Sequence, residues 1–313
     1  MKFLIKYCAC LAIFTTASFP LFLSPLTRID KSTVVDIAVV KSIDKEPYNQ
    51  AVDGFKEVLA EKNITANLKV FDLSKQGEEH INRTIQSHPP ALILTVGTSA
   101  TKSIAEKIKD IPIVFSLVMD PEASSITAKN IVGASVDIPV KIHLETMKRV
   151  VPKFKRIGVV YNPVENEALI RQAKQVAKDL GYILKTYPVH SEKEIPGIKD
   201  LQIDILWIIP DSTVCKPAIL KRILLSSIKS RVAVVGFSRM YARAGAIIGI
   251  GCDYKDVGRQ SGEIAIKILK GENYSHLEIT RPRKVKLYFN KTVAQRLGII
   301  IPGKILQKAS EVF

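Results

Sequence analysis

The sequence of 313 residues has few of the residues that hold a fold together covalently or through a metal. It contains four cysteines, and two of them, Cys8 and Cys10, lie in an apolar N-terminal stretch. The other two, Cys215 and Cys252, could form one disulfide in an exported protein or stay separate thiols, and the sequence leaves both open. The five histidines are scattered, without H-E-x-x-H or paired C-x-x-C spacing, so we expect no metal site and no cofactor.

Motifs of common enzymes are also missing. The segment GTSAT at 97–101 lacks the last glycine of a G-x-S-x-G nucleophile elbow, and no P-loop is present. The segment GIG at 249–251 is followed by Tyr254 where a dinucleotide-binding fingerprint needs a third glycine. We therefore predict that the protein is not an enzyme. An exported enzyme that uses Ser99 or a pair of acids is the remaining alternative.

Charge of one sign is never concentrated into a long run, although the formal net charge is +16. The 46 Lys and Arg residues are interspersed with 30 Asp and Glu residues, and only 281–286 is locally dense in basic residues. No RNA-binding or zinc-finger pattern accompanies them, so we predict no nucleic-acid partner. The basic residues indicate a solvated surface that weakly favours an anionic membrane.

The first 27 residues differ from the rest of the chain. Lys2 and Lys6 precede a stretch, 7–27, that has no charged side chain. This pattern predicts a signal peptide that is cut near Ala17. An uncleaved membrane anchor is the alternative, because about 20 apolar residues suffice to span a bilayer. Either interpretation predicts an exported protein, in the periplasm or on the outer face of the cytoplasmic membrane.

From residue 34 onward, short apolar runs alternate with amphipathic segments, which is typical of repeated βα units around a parallel sheet. The predicted strands of a first series are 34–40, 68–71, 91–96, 113–118 and 131–136. Those of a second series are 156–161, 182–186, 203–209, 232–235 and 246–250. A helix is predicted over 255–269 and a further strand over 284–289.

Two consecutive series of this kind predict an α/β fold with two doubly wound parallel-sheet lobes. We expect a hinge at which the chain crosses three times between the lobes. The predicted first lobe is 34–137 with about 254–280, and the predicted second lobe is 138–253 with about 281–313.

Polar residues that directly follow the apolar runs are the candidates for ligand binding, because strand ends line the crevice of such a sheet. Thr98 and Ser99 combine hydroxyls with the first N–H groups of a helix, an arrangement that favours a carboxylate or phosphate. Acids follow other strands, at Asp120, Asp137, Asp211 and Asp253, and would suit a cationic group. Each of these residues could instead cap a helix or form a turn. Together they indicate an amino acid or a similar zwitterion.

Several segments, in their order and spacing, resemble the ABC transporter substrate-binding proteins of the tryptophan/tyrosine type. They are IPIVFSLVMDP at 111–121, NIVGAS at 130–135, VPKFKRIGVVYNP at 151–163, IIPD at 208–211, AGA at 244–246, DYKDVGRQ at 253–260, ILKG at 268–271 and NKTVAQRLGIIIP at 290–302. The resemblance implies a type I periplasmic-binding-protein fold, a place outside the cytoplasm, and delivery of ligand to a membrane permease and its ATPase.

The resemblance also implies which positions hold the ligand. They are Thr98, Ser99, Asp120, Asn162, Asp211 and Asp253. The sequence thus predicts a monomeric solute-binding protein that closes over an amino-acid-like ligand. A membrane-tethered sensor with the same fold is the alternative function.

Overall fold

The computed structural model describes residues 34–121, 124, 126, 129–273 and 276–313. The predicted signal peptide or anchor, with Cys8 and Cys10, lies outside the described residues. Cys215 is half-buried and Cys252 is buried, and both are free thiols.

The first sheet consists of five parallel strands in the order β2-β1-β3-β4-β5. They are β1 (Val35–Lys41), β2 (Ala66–Asp72), β3 (Leu92–Val96), β4 (Ile113–Val118) and β5 (Ile131–Ser135). The helices between them are α1 (Glu46–Glu61), α2 (Leu73–Gln76), α3 (Glu78–Ser87) and α4 (Thr98–Lys107). The order is that of a doubly wound sheet whose direction of winding reverses between β1 and β3.

The second sheet has seven strands in the order β12-β11-β10-β9-β8-β6-β7. They are β6 (Arg156–Tyr161), β7 (Ile183–Pro188), β8 (Ile205–Trp207), β9 (Ala233–Gly236), β10 (Ile248–Cys252), β11 (Val285–Phe289) and β12 (Glu311–Val312). Its helices are α5 (Val140–Val150), α6 (Pro163–Asp179), α7 (Pro217–Lys229), α8 (Arg239–Ala244), α10 (Lys291–Arg296) and α11 (Gly303–Leu306), with 3-10 turns at Glu192–Glu194 and Ile198–Leu201. The predicted architecture of two parallel-sheet α/β lobes is confirmed.

One strand of the second sheet departs from the parallel pattern. β11 pairs with β10 in antiparallel register, with Gly249 opposite Tyr288. The preceding helix, α9 (Tyr254–Leu269), packs on α1, β4 and β5 of the first lobe. The chain therefore re-enters the second lobe from the side of the first, at the end where β10 finishes, and β11 must run in the opposite direction.

Backbone hydrogen bonds tie together the segments that connect the lobes. The N–H of Ser135 donates to the carbonyl of Thr280 (2.9 Å), and the N–H of Thr280 donates to the carbonyl of Gly133 (3.0 Å). The N–H of Asp253 donates to the carbonyl of Lys284 (3.1 Å). The three passages of the chain between the lobes therefore lie side by side.

The contact between α1 and α9 is unusually close because glycines face it. A Cβ atom added at Gly258 would overlap the carbonyl oxygen of Ala51, and one added at Gly54 would overlap that of Lys255. The apolar stripes of both helices are buried, including Phe55 on α1. Since α9 follows a crossing from the second lobe, this backbone-to-backbone contact attaches that part of the chain to the first lobe.

A histidine is buried in the second lobe. The ring of His143 on α5 lies 5.5 Å from the ring of Trp207 on β8, and its Nδ1 atom has no hydrogen-bond partner among the described residues. Burial lowers the pKa of His143 from 6.5 to about 4. The imidazole is therefore neutral in the folded protein at pH values where it would be protonated in the unfolded chain.

This burial predicts a loss of stability on acidification. Between pH 6.5 and pH 4 the unfolded chain binds a proton that the folded chain does not, so the free energy of unfolding falls as pH falls. The expected contribution is about 3 kcal/mol between pH 7 and pH 4. Urea unfolding of His143→Leu at both pH values should show a pH dependence smaller by that amount. The same substitution at the exposed His80 is the control, and equal pH dependence in all three proteins would contradict the assignment.

Candidate functional site

The loops at the carboxyl ends of β1 and β3 form the centre of the first lobe's side of the site. A parallel sheet opens a crevice where neighbouring strands connect in opposite directions, and these two strands meet that condition. Ser42 follows β1, and its N–H donates to the carbonyl of Val96 at the end of β3 (2.9 Å). The two loops are therefore held together at the place where the topology predicts ligand binding.

Gly97 makes this junction possible. Its φ of +92° is a conformation that L side chains rarely adopt. A Cβ atom here would lie 2.6 Å from Cε1 of Tyr48 and 2.7 Å from Oγ of Ser42. The ring of Tyr48, on the first turn of α1, thus lies directly against the peptide that begins α4.

The first N–H groups of α4 are only partly used by the protein. The N–H of Ala100 donates to Oγ of Ser42 (2.9 Å). The N–H groups of Thr98 and Ser99 have no acceptor among the described residues. Thr98 is half-buried and its Oγ1 accepts from the N–H of Met119 (3.4 Å), while Ser99 is exposed. The helix start therefore offers open donors and the positive end of its dipole to an anion.

The loops after β4 and β5 are joined by a hydrogen bond between two of the predicted acids. The N–H of Asp120 donates to Oδ1 of Asp137 (2.8 Å). Asp120 is exposed and has a φ of +40°, and Asp137 is half-buried. Asp137 is also near enough to Cys252 to influence the pKa of that thiol, which burial first and then the neighbouring Asp253 raise to about 12. The acids after β5 and β10 therefore both lie within electrostatic reach of Cys252.

The loops after β6 and β8 are held together by hydrogen bonds to the carboxylate of Asp211. Its Oδ2 accepts from the N–H of Asn162 (2.6 Å) and from Nδ2 of Asn166 (3.0 Å). Its Oδ1 accepts from the N–H groups of Thr213 and Val214 (2.9 Å each). A carboxylate has about four lone-pair sites, so these four donors occupy Asp211 within the protein. These hydrogen bonds hold the backbone of Asn162 and the side chain of Asn166 against the loop after β8, and ligand binding by Asp211 itself stays a prediction.

Asn162 is placed at the edge of the second lobe's crevice. It caps α6, since its Oδ1 accepts from the N–H of Val164 (3.0 Å), and its Nδ2 donates to Oγ1 of Thr213 (3.1 Å). This residue entered the predicted site through resemblance alone. The structure shows a half-buried amide at the carboxyl end of β6, where the second sheet reverses its winding.

Asp253 lies between the lobes, at the first position before α9. Its Oδ1 accepts from the N–H of Asp256 (3.1 Å), and its Oδ2 lies 3.0 Å from Nζ of Lys286. Burial alone would raise the pKa of Asp253, but the hydrogen bonds from Lys286 and Asp256 and the nearby lysine charges lower it overall. The carboxylate therefore stays charged, and each of its oxygens accepts one donor where those of Asp211 accept two.

Tyr254, which follows Asp253 in the chain, was not predicted as part of the site, and neither were Tyr48 and Tyr288. Tyr48 and Tyr254 pack against the core of the first lobe. Burial raises the pKa of Tyr254, and Tyr288 and Tyr48 are near enough to add to that effect. Tyr288 comes from β11 of the second lobe, opposite Gly249. The adjacency of Tyr254 to Asp253 in the chain was a usable signal, whereas Tyr288 reaches this place only through the antiparallel pairing of β11.

The described part of the chain has neither a cluster of metal-binding side chains nor a helix that could cross a membrane. No three His, Cys, Asp or Glu side chains there are grouped so that they could hold a metal ion. No helix there has the length and apolar character needed to cross a membrane.

Comparison with known proteins shows sequence similarity over most of the chain. The sequence model of the family described as ABC transporter substrate binding protein matches residues 36–313. A curated tyrosine-binding protein of Clostridioides difficile (strain R20291) is 23% identical over 291 residues, which cover 87% of this chain and 83% of that protein.

Solved structures show the same fold. The ligand-free, open structure of a substrate binding protein with adhesive properties from Clostridium difficile has a TM-score of 0.77 at 23% identity, covering 89% of this chain and 99% of that one. An ABC domain in complex with L-Trp from Streptococcus pneumonia has a TM-score of 0.66 at 21% identity, covering 90% of this chain and 100% of that one.

Proposed function

Because the chain belongs to the family of ABC transporter substrate-binding proteins, we propose that it binds an amino acid between its lobes and delivers it to a membrane permease with its ATPase. The observation that carries the ligand class is the start of α4. There, two N–H groups that have no acceptor in the described part of the chain lie beside the ring of Tyr48. Such a start suits a carboxylate, and the ring suits an apolar or aromatic side chain next to it.

Each part of the site has a proposed role. The N–H groups and hydroxyls of Thr98 and Ser99 bind the ligand carboxylate. Asp120 and Asp253 bind its ammonium group, and Asn162 donates from the second lobe. Asp211 acts indirectly, because its hydrogen bonds hold the loop that carries Asn162. Closure of the lobes along the three connecting segments would bury these contacts and strengthen each of them.

The wider setting follows from the family. Its members are extracytoplasmic solute-binding components of ABC transporters, and we propose that this chain works as a monomer in the periplasm or on the outer face of the cytoplasmic membrane. Aromatic amino acids are the first ligands to test, since one relative is named for tyrosine and another was solved with L-Trp. Binding and release without chemical change is the proposed activity, so the ligand should be recovered intact.

Titration calorimetry with the protein amino acids tests this proposal. We expect one or a few of them, with L-tyrosine and L-tryptophan as the first probes, to bind with a dissociation constant of about 1 μM or tighter. Mass spectrometry of the ligand after incubation should show it unchanged. Absence of binding by every amino acid would overturn the ligand class, and turnover of a bound one would overturn the assignment as a non-enzyme.

A further inference from the structure

Of the two lobes, only the second carries a net positive charge. The ranges that build the second lobe, 138–253 and 281–313, contain 27 Lys and Arg residues against 11 Asp and Glu residues. The ranges that build the first lobe, 34–137 and 254–280, contain 15 against 18. The molecule is therefore an electric dipole whose second lobe is strongly cationic and whose first lobe is weakly anionic.

Within the second lobe, one end concentrates exposed cations. Strands β6 to β9 begin at this end, and helices α5, α6 and α7 finish there, because each helix runs antiparallel to the strands it connects. We call this end the basal face. Its exposed cations are Lys148, Arg149, Lys153, Lys155, Arg156, Lys178, Lys229 and Arg231.

Few acids oppose these charges. The acids at the same end are Asp179, Asp204 and Asp200, the last of which lies in the 3-10 turn that precedes β8. Asp204 is paired with Arg156 through an ion pair of 2.6 Å and also accepts from the N–H groups of Lys155 and Arg156. Electrostatic reach is about 8 Å at physiological ionic strength, so an approaching surface would interact with this face and not with the anionic lobe beyond it.

Apolar side chains are exposed beside the cations. Ile183, the first residue of β7, is 58% exposed, and its N–H donates to the carbonyl of Lys155 (2.9 Å). Leu225 is 57% exposed and precedes Lys229 by one turn on α7, so the two side chains share a helix face. Exposed aliphatic groups among long cationic side chains match the boundary between lipid headgroups and acyl chains.

We propose that the basal face of the second lobe docks on a bilayer that contains anionic phospholipids. The cations come from several helices and turns and are not regularly spaced. Lipid headgroups can move in the bilayer, so anionic headgroups can pair with all of these cations. The acidic side chains of a protein partner would have to lie at matching fixed positions. The residues of the candidate ligand site lie at the opposite ends of the strands. Docking therefore leaves the crevice open and keeps the protein near a membrane-embedded transporter.

Vesicle sedimentation with two matched variants tests the proposal. The basal variant carries Lys153→Gln, Lys155→Gln, Lys229→Gln and Arg231→Gln, and none of these side chains makes a hydrogen bond or ion pair in the described structure. The control variant carries Lys56→Gln, Lys62→Gln, Lys102→Gln and Lys270→Gln, which are exposed on the first lobe and remove the same charge. Vesicles are made of phosphatidylcholine alone or with about one third phosphatidylglycerol.

The unsubstituted protein, without residues 1–27, should sediment with the phosphatidylglycerol vesicles only, and salt of about 0.5 M should release it. The basal variant should bind at least about tenfold more weakly, and the control variant within about twofold of the unsubstituted protein. Equal losses in both variants, or no sedimentation at low salt, would overturn the proposal. The proposal would also be overturned if the basal variant bound more weakly only to neutral vesicles that contain the cognate permease. The partner of the basal face would then be an acidic protein.

Discussion

Gly258→Ala should destabilise the folded protein by about 3 kcal/mol, although alanine is the better helix former. The added Cβ would overlap the carbonyl oxygen of Ala51, which is backbone and has no rotamer by which to move away. The helices α1 and α9 would have to separate, and the buried stripes of both would lose their packing. Denaturant unfolding at neutral pH measures the change.

Two further glycines calibrate this prediction. At Gly262 on the same helix the nearest atoms would lie 3.1 Å from the new Cβ, so Gly262→Ala should cost less than Gly258→Ala. At Gly303 nothing lies within 4 Å, so Gly303→Ala should be neutral or slightly stabilising. A ranking in which Gly258→Ala is as stable as Gly303→Ala would show that the α1–α9 contact can relax, and would refute the prediction.

The strand pattern explains why the main architecture was predictable. Buried parallel strands such as β3 and β4 are continuous apolar runs, and their bounds in the structure differ from the predicted ones by a residue or less. The hydrophobic pattern did not predict elements that are incompletely buried or very short. β12 has two residues, and α2 and α11 have four each, so each contains about one period of its own repeat, and a single period does not make a recognisable pattern.

The α1–α9 contact shows what periodicity cannot reveal. The apolar stripe of α9 was readable from Val257 and Ile264, and both are buried. Which partner that stripe meets depends on the crossing of the chain between the lobes. In the sequence, the glycines of α9 indicate only a weak preference for helix. The close approach of α1, which explains why glycine occupies these positions, is visible only in the structure.

The sequence predicted where the candidate site residues lie along the strands, but it did not predict their hydrogen-bond partners. Topology alone placed Thr98, Asp120 and Asp253 at strand ends, because polar residues after buried strands line the crevice. Sequence does not show which donors a carboxylate already has. Asp211 and Asp253 look alike in the chain, but the first has four protein donors and the second has two.

Asp253→Asn should weaken the binding of the cognate amino acid about tenfold to a hundredfold, because a charge-assisted hydrogen bond contributes about 1.5–3 kcal/mol. Asparagine is as good a helix cap as aspartate, so α9 should keep its start and the variant should fold. The substitution removes the negative charge while preserving shape. Calorimetry of both proteins with the same ligand measures the difference.

Lys286 supplies the first control, since it is the ion-pair partner of Asp253. If Asp253 acts only by holding Lys286, then Lys286→Gln should weaken binding as much as Asp253→Asn does. If Asp253 meets the ligand ammonium, Lys286→Gln should leave affinity unchanged or raise it, because a competing cation is removed.

A ligand without its amino group separates the two explanations further. If L-tyrosine is the cognate ligand, 3-(4-hydroxyphenyl)propionate keeps the carboxylate and ring and lacks the ammonium group. This analogue should bind the unsubstituted protein and Asp253→Asn with the same weakened affinity. The loss from removing the ammonium group and the loss from Asp253→Asn would then not be additive, as expected for two groups in direct contact. Additive losses would place the ammonium elsewhere, and Asp120, whose loop is held by Asp137, would then be the acid to test.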